Sequence, residues 1–427
     1  MKLMLEKFVD ARWQAAAEVT ILQPARGIAS PCIIEYQRDY ALAYLDARGD
    51  AALSIHMPVN FHHVRYPQWA PLLLDLLPSG FGRDLLVAHQ QWQRPDGPQN
   101  DARVLAHGAS NPGGNTRVAE AYAWLQTQMP VNADGWSLQD MQRHDADFIE
   151  YARLHGTLVA GTSTQGQAAK MWVTQSHDGR YWADTLVPDE EASAHYLVKL
   201  PRNDRDAILL KHEHIWLELA AAAGLDVCGQ PFMSGELLFI PRFDRQVVPG
   251  GVNRLAVESA YSLMGVAEHG APLLHEDIIA SWLAKADFDA FGAGLLEYLQ
   301  RDILSYCLRV DDNHGRNTSF YLTDRGMQLT PLFDFSPMFL ADDPPARSTH
   351  WRTFAQGNNT QWAQLFDAWL PNLIGQDNSD GLRQALLDWQ PQLATVHQAF
   401  LQRDRDPRTD FCDQRFQIAQ EALNALS

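Results

Sequence analysis

The stretch Asp311-Asp312-Asn313-His314-Gly315-Arg316-Asn317, followed further on by Thr330-Pro331-Leu332-Phe333-Asp334-Phe335-Ser336, constrains this chain more than any other feature. Before it, Leu295, Leu296, Leu299, Ile303, Tyr306 and Val310 recur at helical intervals. After it, Ser319-Phe320-Tyr321-Leu322 and Met327-Gln328-Leu329 flank an Asp324-Arg325-Gly326 turn, the signature of a hairpin. The local order is therefore helix, polar loop, hairpin, carboxylate. An isolated heptapeptide of this composition is most often a solvated turn. The second acidic stretch sets this one apart.

Asp312 and Asn317 are five positions apart, the interval between base and metal-binding amide in kinase catalytic loops. Magnesium held by nucleotide phosphates takes hard oxygen ligands in near-octahedral geometry, and one carboxylate plus one amide leave room for phosphate oxygens and water. Asn317 and Asp334 suit that role. A second carboxylate must stay off the metal to meet an incoming hydroxyl, which assigns Asp312 as base. A calcium loop starting at Asp311 fails, because Gly315 and Arg316 fall where a ligand and the glycine belong and Leu322 replaces the closing Glu.

The 427 residues can bury one large core or several ordinary ones. A net charge of -18, from 34 basic and 52 acidic residues, disfavours direct contact with nucleic acid or an anionic membrane. Cys32, Cys228, Cys307 and Cys412 form no paired motif, which points to a reducing compartment. Residues 1–17 carry Lys2, Glu6, Lys7, Asp10 and Arg12 and hold no signal-peptide core, and no apolar run spans a membrane. The cytoplasm is the expected location.

Three regions follow. Residues 1–150 show short alternating runs at Val19–Leu22, Tyr40–Leu45 and Ala52–His56 and a helical stretch at Trp69–Leu77, an α+β unit. Gly108–Asn115 contains a Pro and no following Lys, so it reads as a structural turn. Residues 151–250 hold a Gly-rich loop, a strand at His195–Leu200, a helix at about Leu209–Ala223 ended by Gly224, and a hairpin from Phe232 to Ile240. Residues 251–427 are mostly helical, with amphipathic runs at Trp362–Leu370 and Leu382–Leu401.

Phosphoryl transfer depends on holding phosphates with amides, a cation and metal. Lys199 lies on an apolar strand where a buried ammonium needs a partner, and Glu213 on the next helix can supply it; two unrelated surface charges are the other reading. Gly161-Thr162-Ser163-Thr164-Gln165-Gly166, leading to Lys170, offers amides and hydroxyls suited to phosphate oxygens, though a plain turn has the same composition. Pro241-Arg242-Phe243-Asp244 sits where a hinge would present backbone groups and an aromatic face to adenine. His314 is placed to orient the loop through a side-chain hydrogen bond.

Taken together, these motifs resemble the HipA family of bacterial serine/threonine protein kinases, the toxins of HipBA-type toxin-antitoxin modules. The resemblance rests on the Gly161–Lys170 loop, Lys199-Leu200-Pro201, the Glu213 helix ending at Gly224, Arg242-Phe243-Asp244-Arg245, the Asp312, His314 and Asn317 loop, Pro331–Asp334, and Leu76-Leu77-Pro78-Ser79-Gly80. It implies an α+β, two-lobed protein-kinase-like fold with an N-terminal subdomain and a helical C lobe. It also implies use of ATP and Mg²⁺ and transfer to a protein serine or threonine, with aminoacyl-tRNA synthetases as the family's targets. Autophosphorylation would fall on Thr162, Ser163 or Thr164, and a small helix-turn-helix antitoxin would be the partner. A small-molecule phosphotransferase and a nucleotide-binding regulator with little catalysis are the alternatives.

Overall fold

The computed structural model describes residues 1–94, 97–128, 135–143, 148, 169–354, 360–403 and 406–426. The chain opens with a hairpin of β1 (Lys2–Val9) and β2 (Arg12–Ile21), turned by Asp10 and Ala11 at φ 53° and 57°. With β3 (Cys32–Tyr36), β4 (Val64–Tyr66) and β5 (Thr116–Val118) it forms an antiparallel sheet in the order β4-β3-β2-β1-β5. Alternate residues such as Leu3, Leu5, Val19 and Ile21 are buried, and they share a core with Trp69 and with Leu73 and Leu105 from the covering helices. The helix expected at Trp69–Leu77 spans Pro71–Leu76.

Two of the expected runs here take other forms. Tyr40–Leu45 falls on the helix Arg38–Ala43 and the turn after it, and Ala52–His56 carries only a bridge between Ser54 and Met57. Six residues of alternation do not distinguish a half-buried strand from a short helix. The Tyr40 hydroxyl donating to Ala51 O at 2.7 Å selects the helix.

A second antiparallel sheet consists of β6 (Ala169–Ser176), β7 (Tyr181–Ala183), β8 (Ala192–Leu200), β9 (Phe232–Ser234) and β10 (Leu237–Pro241), in the order β7-β6-β8-β10-β9. Met171, Val173, Val198, Leu237 and Phe239 build its core with Phe148. Between β8 and β9 runs the helix Asp204–Ala222, started by the Asn203 side chain accepting from Asp206 N and stopped by Gly224 at φ 81°. Its Leu210, Trp216, Leu217 and Leu219 sink into the core of the following helical region, so this helix fastens the sheet to what lies beneath.

That region comprises the helices His275–Leu283, Phe288–Cys307, Trp369–Ile374, Gln376–Gln402 and Phe411–Asn424 and a three-stranded sheet of Val257–Ser259, Ser319–Thr323 and Gly326–Leu329. The Trp362–Leu370 run divides into a tight turn of helix at Trp362–Phe366 and the start of the helix Trp369–Ile374. Trp282, Leu299, Ile303, Trp362, Leu393 and Phe416 are fully buried between these elements. Among the described residues no helix is long and apolar enough to cross a membrane.

Candidate active site

β8 ends at Leu200, and its penultimate residue Lys199 points into the gap between the sheet and the helical region. Its Nζ donates to Glu213 Oε1 at 2.6 Å and to Asp334 Oδ1 at 2.6 Å. The strand lysine, the helix carboxylate and the carboxylate after the hairpin, 135 positions apart at the extreme, thus meet in one buried ion triad. Lys170 faces Lys199 across the β6–β8 ladder.

The charges here perturb one another. Burial lifts the Asp334 carboxyl, but Lys199 and Lys170 more than offset this and hold it at about 2. Burial lowers Lys199, and the two carboxylates overcome that and keep it charged. Burial pushes Glu213 up, since one ammonium is shared between two acids. Lys170 is brought down to about 8 by burial, with Asp334 resisting.

The loop Asp311–Asn317 leaves the helix Phe288–Cys307 and returns to the strand at Ser319. Two asparagine side chains fix it. Asn317 Nδ2 donates to Asp312 O at 2.7 Å, and its Oδ1 has no hydrogen-bond donor among the described residues. Asn313 Nδ2 donates to Thr349 O at 2.7 Å while its Oδ1 accepts from Ser348 N and Thr349 N at 2.9 and 3.2 Å. Gly315 lets the loop pack tightly, because a Cβ there would lie 2.6 Å from Leu273 Cδ1 and 2.7 Å from Tyr261 Cδ1. Asp311 turns aside to Arg309 at 3.1 Å.

Burial raises the Asp312 carboxyl, His314 and the lysines pull it back, and the Asp334 charge adds to the rise. His314 Nε2 stands 3.5 Å from Asp312 Oδ1. Neither imidazole nitrogen has a hydrogen-bond partner among the described residues, so the orienting hydrogen bond expected of His314 is absent and the ring acts on Asp312 as a close, buried polar neighbour. Asp334 adopts φ 51°, a conformation costing an acidic residue about 1 kcal/mol that tertiary contacts must repay.

A cleft lies alongside, and its lining combines Trp172, Leu197, Ile240, Phe243 and Phe333 with the polar Asn317 and Asp334. A second cavity also reaches Asn317 and Asp334 and includes Asp312. Phe243 packs on Phe333 with ring centroids 5.1 Å apart. Arg242, by contrast, spends its guanidinium on protein: Nε and Nη2 donate to Asp244 and Nη1 donates to Asp184 Oδ2, at 2.7 to 2.9 Å, while the guanidinium carbon lies 3.8 Å from the Trp172 ring centroid. Gly161, Thr162, Ser163, Thr164 and Gly166 lie outside the described residues.

For magnesium the donor set fits. Asp334 stays ionised and Asn317 keeps a carbonyl oxygen with no donor among the described residues, and both line one cavity. Among the described residues no group of three or more His, Cys, Asp or Glu side chains could hold a metal, so phosphate oxygens and water would have to complete the shell.

Several cleft residues were not among those the sequence singled out for the site. Asp75, Gly113, Gly114, Ser259 and Arg316 line it, and the first three come from the N-terminal subdomain. The Gly108–Asn115 segment is a turn, as expected, and it also grips the hinge. Gly114, at φ 86°, donates its N–H to Asp244 Oδ2 at 2.7 Å and accepts from Arg245 at 2.8 Å, and Asn111 donates to Asp184 at 2.8 Å. Its enrichment in Gly and Asn was the available clue.

No curated protein matches this sequence. The fold resembles HipA of Shewanella oneidensis MR-1, solved with HipB and its operator DNA, at TM-score 0.64 and 15% identity over 99% of this chain and 96% of that one. The Helicobacter pylori proinflammatory kinase CtkA aligns over 55% of this chain and 86% of its own, at TM-score 0.36 and 11% identity. Residues 162–387, more than half of the sequence, match the HipA-like C-terminal domain, and with the full-length likeness in fold this establishes that the chain belongs to the HipA-like family and has its α+β, kinase-like architecture.

Proposed function

We propose that the protein is an ATP- and Mg²⁺-dependent serine/threonine protein kinase of the HipA toxin type. The observation that carries this reading is the Lys199 ammonium bridging Glu213 and Asp334, the last of which lines a cleft that also holds apolar and aromatic side chains. The apolar lining suits a purine, and Asn317 and Asp334 suit a metal-bound triphosphate. Magnesium, held by Asn317 and Asp334, would neutralise the charge that builds on the phosphoryl oxygens. Lys199 would shift part of its pairing to phosphate, Glu213 would keep it aimed, and Lys170 adds a second positive charge beside it.

Asp312 is the base. The acceptor hydroxyl oxygen attacks the γ-phosphorus, the bond to the bridging oxygen breaks to release ADP, and the hydroxyl proton passes to Asp312. Burial raises the Asp312 pKa, which makes this carboxylate a better proton acceptor. Its neighbour His314 favours the charged form.

The finer assignments extend this reading. The acceptor is a protein serine or threonine, with an aminoacyl-tRNA synthetase as the family-based candidate, and Thr162, Ser163 and Thr164 are the autophosphorylation candidates. A HipB-like helix-turn-helix antitoxin is the partner suggested by the Shewanella complex. Incubating cell lysate with γ-labelled ATP and either wild-type or Asp312→Asn protein tests the reading. A discrete labelled band that the variant fails to produce supports it. Labelled small solutes would move the assignment to a small-molecule phosphotransferase, and nucleotide binding without any turnover would leave a regulator.

A further inference from the structure

The N-terminal subdomain reaches into the cleft through Asp75, on the helix Pro71–Leu76. Asp75 Oδ1 accepts from Ser259 Oγ at 2.7 Å and Oδ2 accepts from Ser259 N at 3.1 Å. Each carboxylate oxygen has two acceptor positions, so both retain capacity. Burial moves the Asp75 carboxyl up to about 6, with Arg316 opposing, which keeps it mostly ionised at neutral pH.

Arg316 is the complementary half. It is only 6% exposed, its Nη2 donates to Leu74 O, and its Nη1 has no hydrogen-bond partner among the described residues. A buried guanidinium N–H left unsatisfied is costly, and the protein contacts around it do not remove that cost. Arg316 lines the cleft, is adjacent in sequence to Asn317, and shares that wall with Asp75 and Ser259.

What lies against these residues follows from the rest of the lining. A nucleotide whose base packs on apolar residues such as Trp172, Leu197 and Ile240 and whose phosphates reach Asn317 and Asp334 places its sugar in the same cleft that Asp75 and Arg316 line. The Asp75 and Arg316 charges offset each other, so the wall does not favour an anion. It offers strong acceptors beside a strong donor, the complement of a neutral vicinal diol, whose hydroxyls each donate and accept.

We propose that Asp75 and Arg316 recognise the ribose hydroxyls of the nucleotide, so that the N-terminal subdomain completes the substrate site and selects ribonucleotides over deoxyribonucleotides. This rests on the nucleotide-binding reading above. The two are separable, because one concerns whether ATP binds and the other which sugar binds best.

The test compares binding of ATP, 2′-deoxy-ATP and 3′-deoxy-ATP to the full chain by calorimetry, with magnesium present. Wild-type protein is expected to bind at least one deoxy analogue ten- to a hundredfold more weakly than ATP, the value of a hydrogen bond to a charged group. Asp75→Asn should weaken ATP by a similar factor while leaving the analogue nearly unchanged, so that discrimination disappears. The analogue series needs no variant, so it decides the matter even if Asp75→Asn misfolds. Equal affinity of wild type for all three nucleotides overturns the proposal, as does discrimination that survives in folded Asp75→Asn. Failure of wild type to bind ATP at all overturns the nucleotide reading, and this inference with it.

Discussion

Two buried charge clusters each contribute to the lining of one cleft, the first through Arg242 and Asp244 and the second through Asp334, and they are built to different specifications. At the hinge, Arg242 and Arg245 face Asp184 and Asp244, and almost every donor has an acceptor: Asp244 alone receives Arg242, Arg245 and Gly114 N–H. Positive and negative charges balance. At the β8 end, Lys199 and Lys170 face Glu213, Asp334 and Asp312, Glu213 Oε2 is buried without a hydrogen-bond partner among the described residues, and Asp334 is held at a left-handed φ. That cluster carries more acid than base. A saturated, neutral knot fixes geometry, whereas an acid-rich, unsaturated one is poised for a cation and for proton transfer.

The sharpest way to break this distinction is Asp312→Asn. It should lower phosphoryl transfer about a thousandfold, about 4 kcal/mol of barrier, with ATP affinity little changed, measured by γ-label transfer and by calorimetry. A variant retaining the wild-type rate sinks the assignment of Asp312.

Next in size is Asp244→Asn at the hinge, which leaves Arg242 and Arg245 short of one counter-charge. A loss of about 3 to 5 kcal/mol in denaturant unfolding is expected, as for a broken buried pair. The surviving folded fraction should bind ATP within about tenfold of wild type; a larger loss would show that the knot serves the chemistry too.

A smaller, pH-dependent effect belongs to Asp334. Its folded pKa of about 2 lies below its ordinary value, so its stabilisation is present above about pH 4 and lost as pH falls toward 2, about 2 kcal/mol in all. Acid titration of stability should show this slope in wild type and lose it in Lys199→Met, which removes the ammonium responsible. In folded wild-type protein the transfer rate should rise with pH through an Asp312 pKa displaced above the usual carboxyl range, because the base works only when ionised. A rate flat across that range contradicts the role.

The smallest effect is that of Trp172→Phe. It weakens the cation–π contact of Arg242, at 3.8 Å, and should cost about 1 kcal/mol of stability.

Much of the architecture was legible because it is local. The Asn203 cap and the Gly224 stop bracket a helix whose sequence reads as one, and the Asp324–Gly326 turn closes the hairpin it suggests. The Lys199–Glu213 pair was open to inference, since an ammonium on an apolar strand needs a carboxylate nearby and the next helix carries one. The contribution of Asp75 was not. It and Ser259 are 184 positions apart, and neither residue type, at its own place in the sequence, announces the other. Arg316 reads as one more polar residue of a loop until its burial and idle Nη1 are seen. The Gly113-Gly114 turn was recognisable as a turn, but its grip on Asp244 depends on which surface the subdomain meets.

The sequence by itself determined the chemical inventory and its spacing along the chain: a lysine on an apolar strand, a glutamate on the following helix, an acid and an amide five apart, and a carboxylate beyond a hairpin. These are fixed by local propensity, capping and periodicity, which act within a few residues. Only the tertiary structure decided that Lys199 joins both Glu213 and Asp334, that the hinge arginines are consumed by a neutral knot, and that a remote subdomain walls the cleft. Those outcomes depend on burial, which raises the cost of every unpaired charge and so makes each buried group's partner, rather than its neighbour in sequence, set its role.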